Sequence, residues 1–82
     1  MEKRIGFVGV LIEDRKRAVP AVNRILSEHG ELILARMGLP CREKHVSVIT
    51  LVVEATTDEL GELTGQLGQV ESVSVKSALS KK

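Results

Sequence analysis

Eighty-two residues make one domain, near the lower size at which a chain buries a sufficient core unaided. A hydrophobic fraction of 43% argues against disorder, but one Phe and no Trp or Tyr leave the core to Val, Leu, Ile and Ala. A net charge of +1 offers no global field for nucleic acid or an anionic membrane, and a single cysteine, Cys41, excludes an internal disulfide and fits a reducing cytosol.

Arg4 to Ile12 are β-branched and apolar on both alternating faces, the pattern of a strand covered on both sides. This run is too short for a membrane span and stops at Glu13-Asp14-Arg15-Lys16-Arg17, so a cytoplasmic location is expected. Val19, Val22, Ile25 and Leu26 recur at three- and four-residue spacing and predict an amphipathic helix from about Arg17 to His29. Pro20 is expected in its first turn, and Gly30 as the left-handed residue that ends it.

Glu31 to Leu39 reads as a second strand, followed by a polar connection from Leu39 to Lys44. His45 to Glu54 is the strongest strand signal in the chain. Ile49, Leu51 and Val53 point one way, Val48, Thr50 and Val52 the other, and neither side is polar. Thr56 with Glu59 three residues later predicts a capping box opening a second helix, with Leu60, Leu63 and Leu67 as its buried stripe and Gly68 at its end. Val70 to Leu79 closes the chain as a strand in which Val73 and Val75 alternate with Ser72, Ser74 and Lys76.

The order strand, helix, strand, strand, helix, strand implies an α+β, ferredoxin-like β-α-β-β-α-β sandwich: a four-stranded antiparallel sheet with two helices on one face. Strands one and three belong in the centre, where their doubly apolar patterns fit. Two short helices cover only one face, so Val48, Thr50 and Val52 are expected on an open apolar face where copies associate, as a dimer or tetramer. Pairing through strand two, at Ile33, Ala35 and Met37, is the alternative.

No nucleophile elbow, triad or paired-carboxylate pattern is present, and an enzyme is not expected. Cys41, His45 and His29 match no closed zinc spacing and read as ordinary loop residues; neither a metal nor a cofactor is expected. Gly6 and Gly9 lie inside a strand and suggest close backbone approach or a bulge. Gly61 and Gly65 share one side of helix two and suggest close packing there. Arg15-Lys16-Arg17 and Lys81-Lys82 could touch phosphates, but an RNA-binding sheet needs exposed aromatics for stacking, and direct nucleic-acid binding is not expected. Glu13, Asp14 and Arg15, facing the N-terminus of helix one, are the candidate site for a small anion or carboxylate.

Gly9-Val10-Leu11-Ile12-Glu13-Asp14-Arg15, Val19-Pro20-Ala21-Val22-Asn23, Ile25-Leu26-Ser27-Glu28 and Arg36-Met37-Gly38-Leu39-Pro40 resemble the iron-only hydrogenase system regulator family. Thr56-Thr57-Asp58-Glu59-Leu60-Gly61, Leu63-Thr64-Gly65-Gln66-Leu67-Gly68 and Val73-Ser74-Val75-Lys76-Ser77-Ala78-Leu79 extend the resemblance over nearly the whole chain. That family is similar to ACT domains and to the C-terminal domain of the nickel-responsive repressor, modules that oligomerise and bind small ligands at or near subunit interfaces. The resemblance therefore implies a single ACT-like regulatory domain over residues 1–82, non-enzymatic and ligand-sensing, with a structural or adaptor protein as the alternative. Ser47-Val48-Ile49-Thr50-Leu51 is similar to the strand before the repressor's nickel ligands, but Val52 and Glu54 stand where histidines are needed, so no nickel site carries over. The repressor binds DNA through a separate ribbon-helix-helix segment, and no counterpart is expected within these 82 residues. The turn at Asp14-Arg15 also lacks the Pro-Gly often found in amino-acid-binding ACT modules.

Overall fold

The structure, a computed structural model, describes residues 2–82. Its elements follow the expected order: strand β1 (Arg4–Ile12), helix α1 (Arg15–Glu28), a single 3-10 turn (Gly30–Leu32), strands β2 (Ile33–Cys41) and β3 (Val46–Ala55), helix α2 (Thr57–Gly68) and strand β4 (Val73–Leu79). All pairings are antiparallel and the sheet order is β2-β3-β1-β4, with the two doubly apolar strands in the centre.

One side of the sheet holds the core. Val8, Val10 and Ile12 of β1 and Ile49, Leu51 and Val53 of β3 are buried with Val22, Ile25 and Leu26 of α1 and Leu60, Leu63 and Leu67 of α2. Ala18 joins them, a small residue that the spacing of large apolar side chains does not pick out. The register puts Phe7 beside Val52, Leu11 beside Val48, Met37 beside Thr50 and Leu39 beside Val48 on the opposite side. That side is open: Phe7 is 52% exposed, Met37 68% and Val52 39%.

The capping box forms as its residues dictate. Glu59 N–H donates to Thr56 Oγ1 at 3.1 Å, and Thr56 N–H donates to Glu59 Oε1 at 2.9 Å. The Thr56 backbone bond, more than the nearby Lys3 ammonium, holds the Glu59 carboxyl below the ordinary glutamate range.

The boundaries differ from expectation in ways that have local causes. Helix α1 begins at Arg15 because Asp14 caps it, which places Pro20 in its second turn rather than its first. The ring therefore removes an interior helix bond; the exposed face carries it. Gly30 does not take a left-handed conformation. The chain leaves α1 through the 3-10 turn instead, with Leu32 N–H donating to the His29 carbonyl at 3.0 Å and the Leu32 side chain buried. Strand β2 starts and ends two residues later than its pattern suggested and runs through Pro40. An edge strand tolerates proline because one row of its N–H groups has no partner to lose. Strand β4 is shorter than expected and starts at Val73.

The glycines divide. A Cβ on Gly6 would run into the Ala78 carbonyl oxygen and the Leu79 side chain, so the expected close approach is real there; at Gly9 the nearest atom is 3.8 Å away. Gly61 and Gly65 reverse the expectation of close packing: nothing lies within 4 Å of a Cβ at either position. Both are exposed on α2, whose opposite side supplies the buried leucines.

Candidate functional site at the β1–α1 turn

Only Glu13 and Asp14 separate β1 from α1. Ser72, in the connection before β4, holds this short turn from outside. Glu13 N–H donates to the Ser72 carbonyl at 2.9 Å, and Asp14 N–H to Ser72 Oγ at 3.1 Å. Ser72 has φ of 70°, a left-handed backbone that few residues other than glycine adopt, and these two bonds accompany that strain. Asp14 is the N-cap of α1: its Oδ1 accepts from Arg17 N–H at 3.4 Å, and its carbonyl from Ala18 N–H at 2.9 Å. Arg15 and Lys16 supply the next two amides, at positions where a helix leaves its N–H groups without intrahelical partners.

Facing the turn is the β2–β3 hairpin. Its loop closes on His45, whose φ of 58° is again left-handed and whose N–H donates to the Arg42 carbonyl at 3.3 Å. Between turn and hairpin lies a cavity of about 440 Å³. Glu13, Asp14, Arg15 and Lys16 line one side, and Pro40, Cys41, Arg42 and His45 the other. Arg15, Lys16 and Arg42 outnumber the two carboxylates, and the helix start adds its partial positive charge. This arrangement suits a small anion with an acceptor for backbone N–H groups.

The three residues singled out in the turn thus stand together at one cavity, with Arg15 on the helix rather than in the loop. Cys41 and His45 share that cavity, whereas His29 lies at the far end of α1, with its Nε2 3.2 Å from Gln66 Oε1. Among the described residues no group of three His, Cys, Asp or Glu side chains is placed to hold a metal ion. Val48, Thr50 and Val52 form one row of β3 on the helix-free face. Lys16 belonged to a recognised charge run, but Arg42 is brought in by the hairpin, and Ser72 carried no signal beyond its place in an alternating pattern. No helix among the described residues is long and apolar enough to cross a membrane.

A β2-β3-β1-β4 antiparallel sheet with two helices on one side is an ACT-like, ferredoxin-like fold. The ACT domain from the GTP pyrophosphokinase of Chlorobium tepidum superposes with a TM-score of 0.78 at 17% identity, over 93% of this chain and 99% of that one. An ACT domain protein from Streptococcus pneumoniae does so with a TM-score of 0.62 at 16% identity, over 93% and 89%. At such identities the likeness speaks for the fold alone.

Sequence carries the assignment further. The chain belongs to the TM1266-like family, described as "Iron-only hydrogenase system regulator, putative", whose model matches residues 4–77. The uncharacterized protein TM1266 from Thermotoga maritima is 40% identical over 98% of this chain and 100% of that one, with a TM-score of 0.93. No curated protein matches the chain.

Proposed function

We propose that this chain is a small non-enzymatic regulatory module, linked to an iron-only hydrogenase system, that acts as an oligomer and responds to a small anionic effector at the β1–α1 turn. The observation that carries the reading is the cavity in which Glu13, Asp14 and Arg15 stand beside Lys16 and Arg42 at the start of a helix. Membership of a family described as a regulator supports it. Thermal-shift screening against small carboxylates, amino acids and divalent metals tests it. A rise in Tm with an anionic compound, lost in Arg15→Ala, is the expected result.

A second copy is proposed to cover the helix-free face through Val48, Thr50 and Val52, together with the neighbouring Phe7, Leu11 and Met37. Light scattering at micromolar concentration should then report a dimer or tetramer, and Val52→Lys a monomer. A monomeric wild-type protein contradicts the oligomer.

The same open face supports a second reading, an adaptor that buries it against a different polypeptide. Its exposed apolar residues continue onto edge strand β2 at Met37 and Leu39. No thermal shift with any compound, together with a reproducible protein partner, would favour the adaptor over the sensor.

A further inference from the structure

The two edges of the sheet are guarded differently. On β2 the ladder shifts register between Ile33 and Ala35, and Pro40 has no N–H to offer. Both features blunt an edge against further pairing. Strand β4 has neither: its pairing with β1 is regular, from Val73 opposite Ile12 to Leu79 opposite Gly6.

The bonds at the two ends of that ladder fix which way its backbone turns. Glu13 N–H donates to the Ser72 carbonyl at 2.9 Å, and Ser80 N–H to the Ile5 carbonyl at 2.7 Å. In an antiparallel ladder every second residue bonds to the neighbouring strand, so Ser74, Lys76 and Ala78 face β1. Val73, Val75, Ser77 and Leu79 therefore turn their backbone groups outward. Val73 N–H is held by the Val70 carbonyl at 3.2 Å, which leaves the donors of Val75, Ser77 and Leu79 to the edge.

The surroundings of this row differ on its two sides. Ser77 pairs with buried Val8 and so stands on the helix side, yet it is exposed. Helix α2 leaves it uncovered, and a groove of about 390 Å³ remains, with Gly61, Thr64, Ser77 and Leu79 among its walls. On the helix-free side Lys76, opposite Gly9, is exposed. Residues 73–82 hold Lys76, Lys81 and Lys82 and no acid. Arg4 stands with Lys81 and Lys82, and Glu2 is the acid beside them.

We infer that the edge of β4 takes up an extended, acidic segment of another polypeptide as an added strand. Val75, Ser77 and Leu79 supply the ladder bonds, and an acidic side chain of the segment lies beside Lys76. Its neighbours on the helix side enter the groove next to Gly61, where no atom lies within 4 Å of a Cβ. A second copy is the poorer occupant. Two β4 strands paired antiparallel over their full length would set Lys76 directly against its own copy. The added strand lies in the plane of the sheet and needs neither the effector nor a covered helix-free face.

NMR titration of the full chain with an acetylated, amidated peptide of alternating glutamate and valine tests it. Amide shifts should centre on Val75, Ser77 and Leu79, and hydrogen exchange at those amides should slow. A peptide of alternating lysine and valine should bind about tenfold more weakly, and Lys76→Glu should narrow that gap. With glutamate beside Lys76, the valines stand opposite Val75 and Ser77, where the ladder bonds form. Methylating the valine nitrogens of the peptide should therefore abolish binding. Ser77→Pro removes an outward N–H, spares the bonds to β1, and should do the same, with unchanged shifts in β3 as the check on folding. Undiminished binding of the methylated peptide reduces the contact to charge and overturns the added strand. Equal shifts with an oligothymidylate overturn it too, in favour of a general polyanion surface. Shifts centred on β2, or none with the glutamate peptide, overturn the assignment to β4.

Discussion

The two faces of this sheet are built from similar residues and meet different surroundings. Val8, Val10, Leu51 and Val53 are sealed under two helices, while one residue away along the same strands Phe7, Leu11 and Val52 are exposed. Residue type does not separate them. The number of helices does, since two short helices cover one face of a four-stranded sheet and no more. A small chain that leaves such a patch open gains from anything that covers it, and the strand pattern was already written for two covers.

Substitutions in the two faces should behave differently if only one is sealed within the chain. Leu51→Ala should cost about 2–5 kcal/mol in denaturant titration, because it opens a cavity among packed neighbours. Phe7→Ala, measured in a dissociated Val52→Lys background, should stay within about 0.5 kcal/mol. Equal costs would break the distinction between the faces.

A smaller effect concerns how the covering layer is held. Thr56→Ala removes the Oγ1 that accepts from Glu59 N–H at the start of α2 and should cost about 1 kcal/mol, read from the shift in denaturation midpoint. On the outer side of that helix, Gly61→Ala and Gly65→Ala should each stabilise the protein by about 0.5–1 kcal/mol, since the methyl meets nothing and the unfolded chain loses freedom. Loss of stability or of assembly would instead make the helix layer a contact surface too.

The smallest effect is the pH dependence of the same cap. The folded state holds the Glu59 carboxyl below its unfolded value, so the unfolded state binds more protons as Glu59 titrates. Its contribution is present above the ordinary glutamate range and is lost as pH falls through the lower folded-state value. In Glu59→Gln that increment of the acid-side slope should disappear from a series of melts.

Parts of the site were legible and parts were not. Glu13, Asp14 and Arg15 stand out because a charged run interrupts two apolar patterns, and such a break marks where a strand gives way to a helix. Arg42 and Ser72 carry no comparable mark. Asp14 and Ser72 are separated by 58 positions, and only the pairing of β4 with β1 brings them together. The glycines of α2 misled for a related reason: their spacing shows that they share a side of the helix, not whether anything faces it.

By itself the sequence determined the element order, the two central strands, the Thr56–Glu59 cap and the alternation that assigns each strand residue to a face. These follow from periods of two and of about three and a half residues and from interactions spanning a few positions. Tertiary structure alone decided which residues meet across the turn and hairpin, and that Asp14 and Ser72 stand together. Those depend on distances between segments far apart in the chain, set by the sheet order and by which helix packs where, and no local period encodes them.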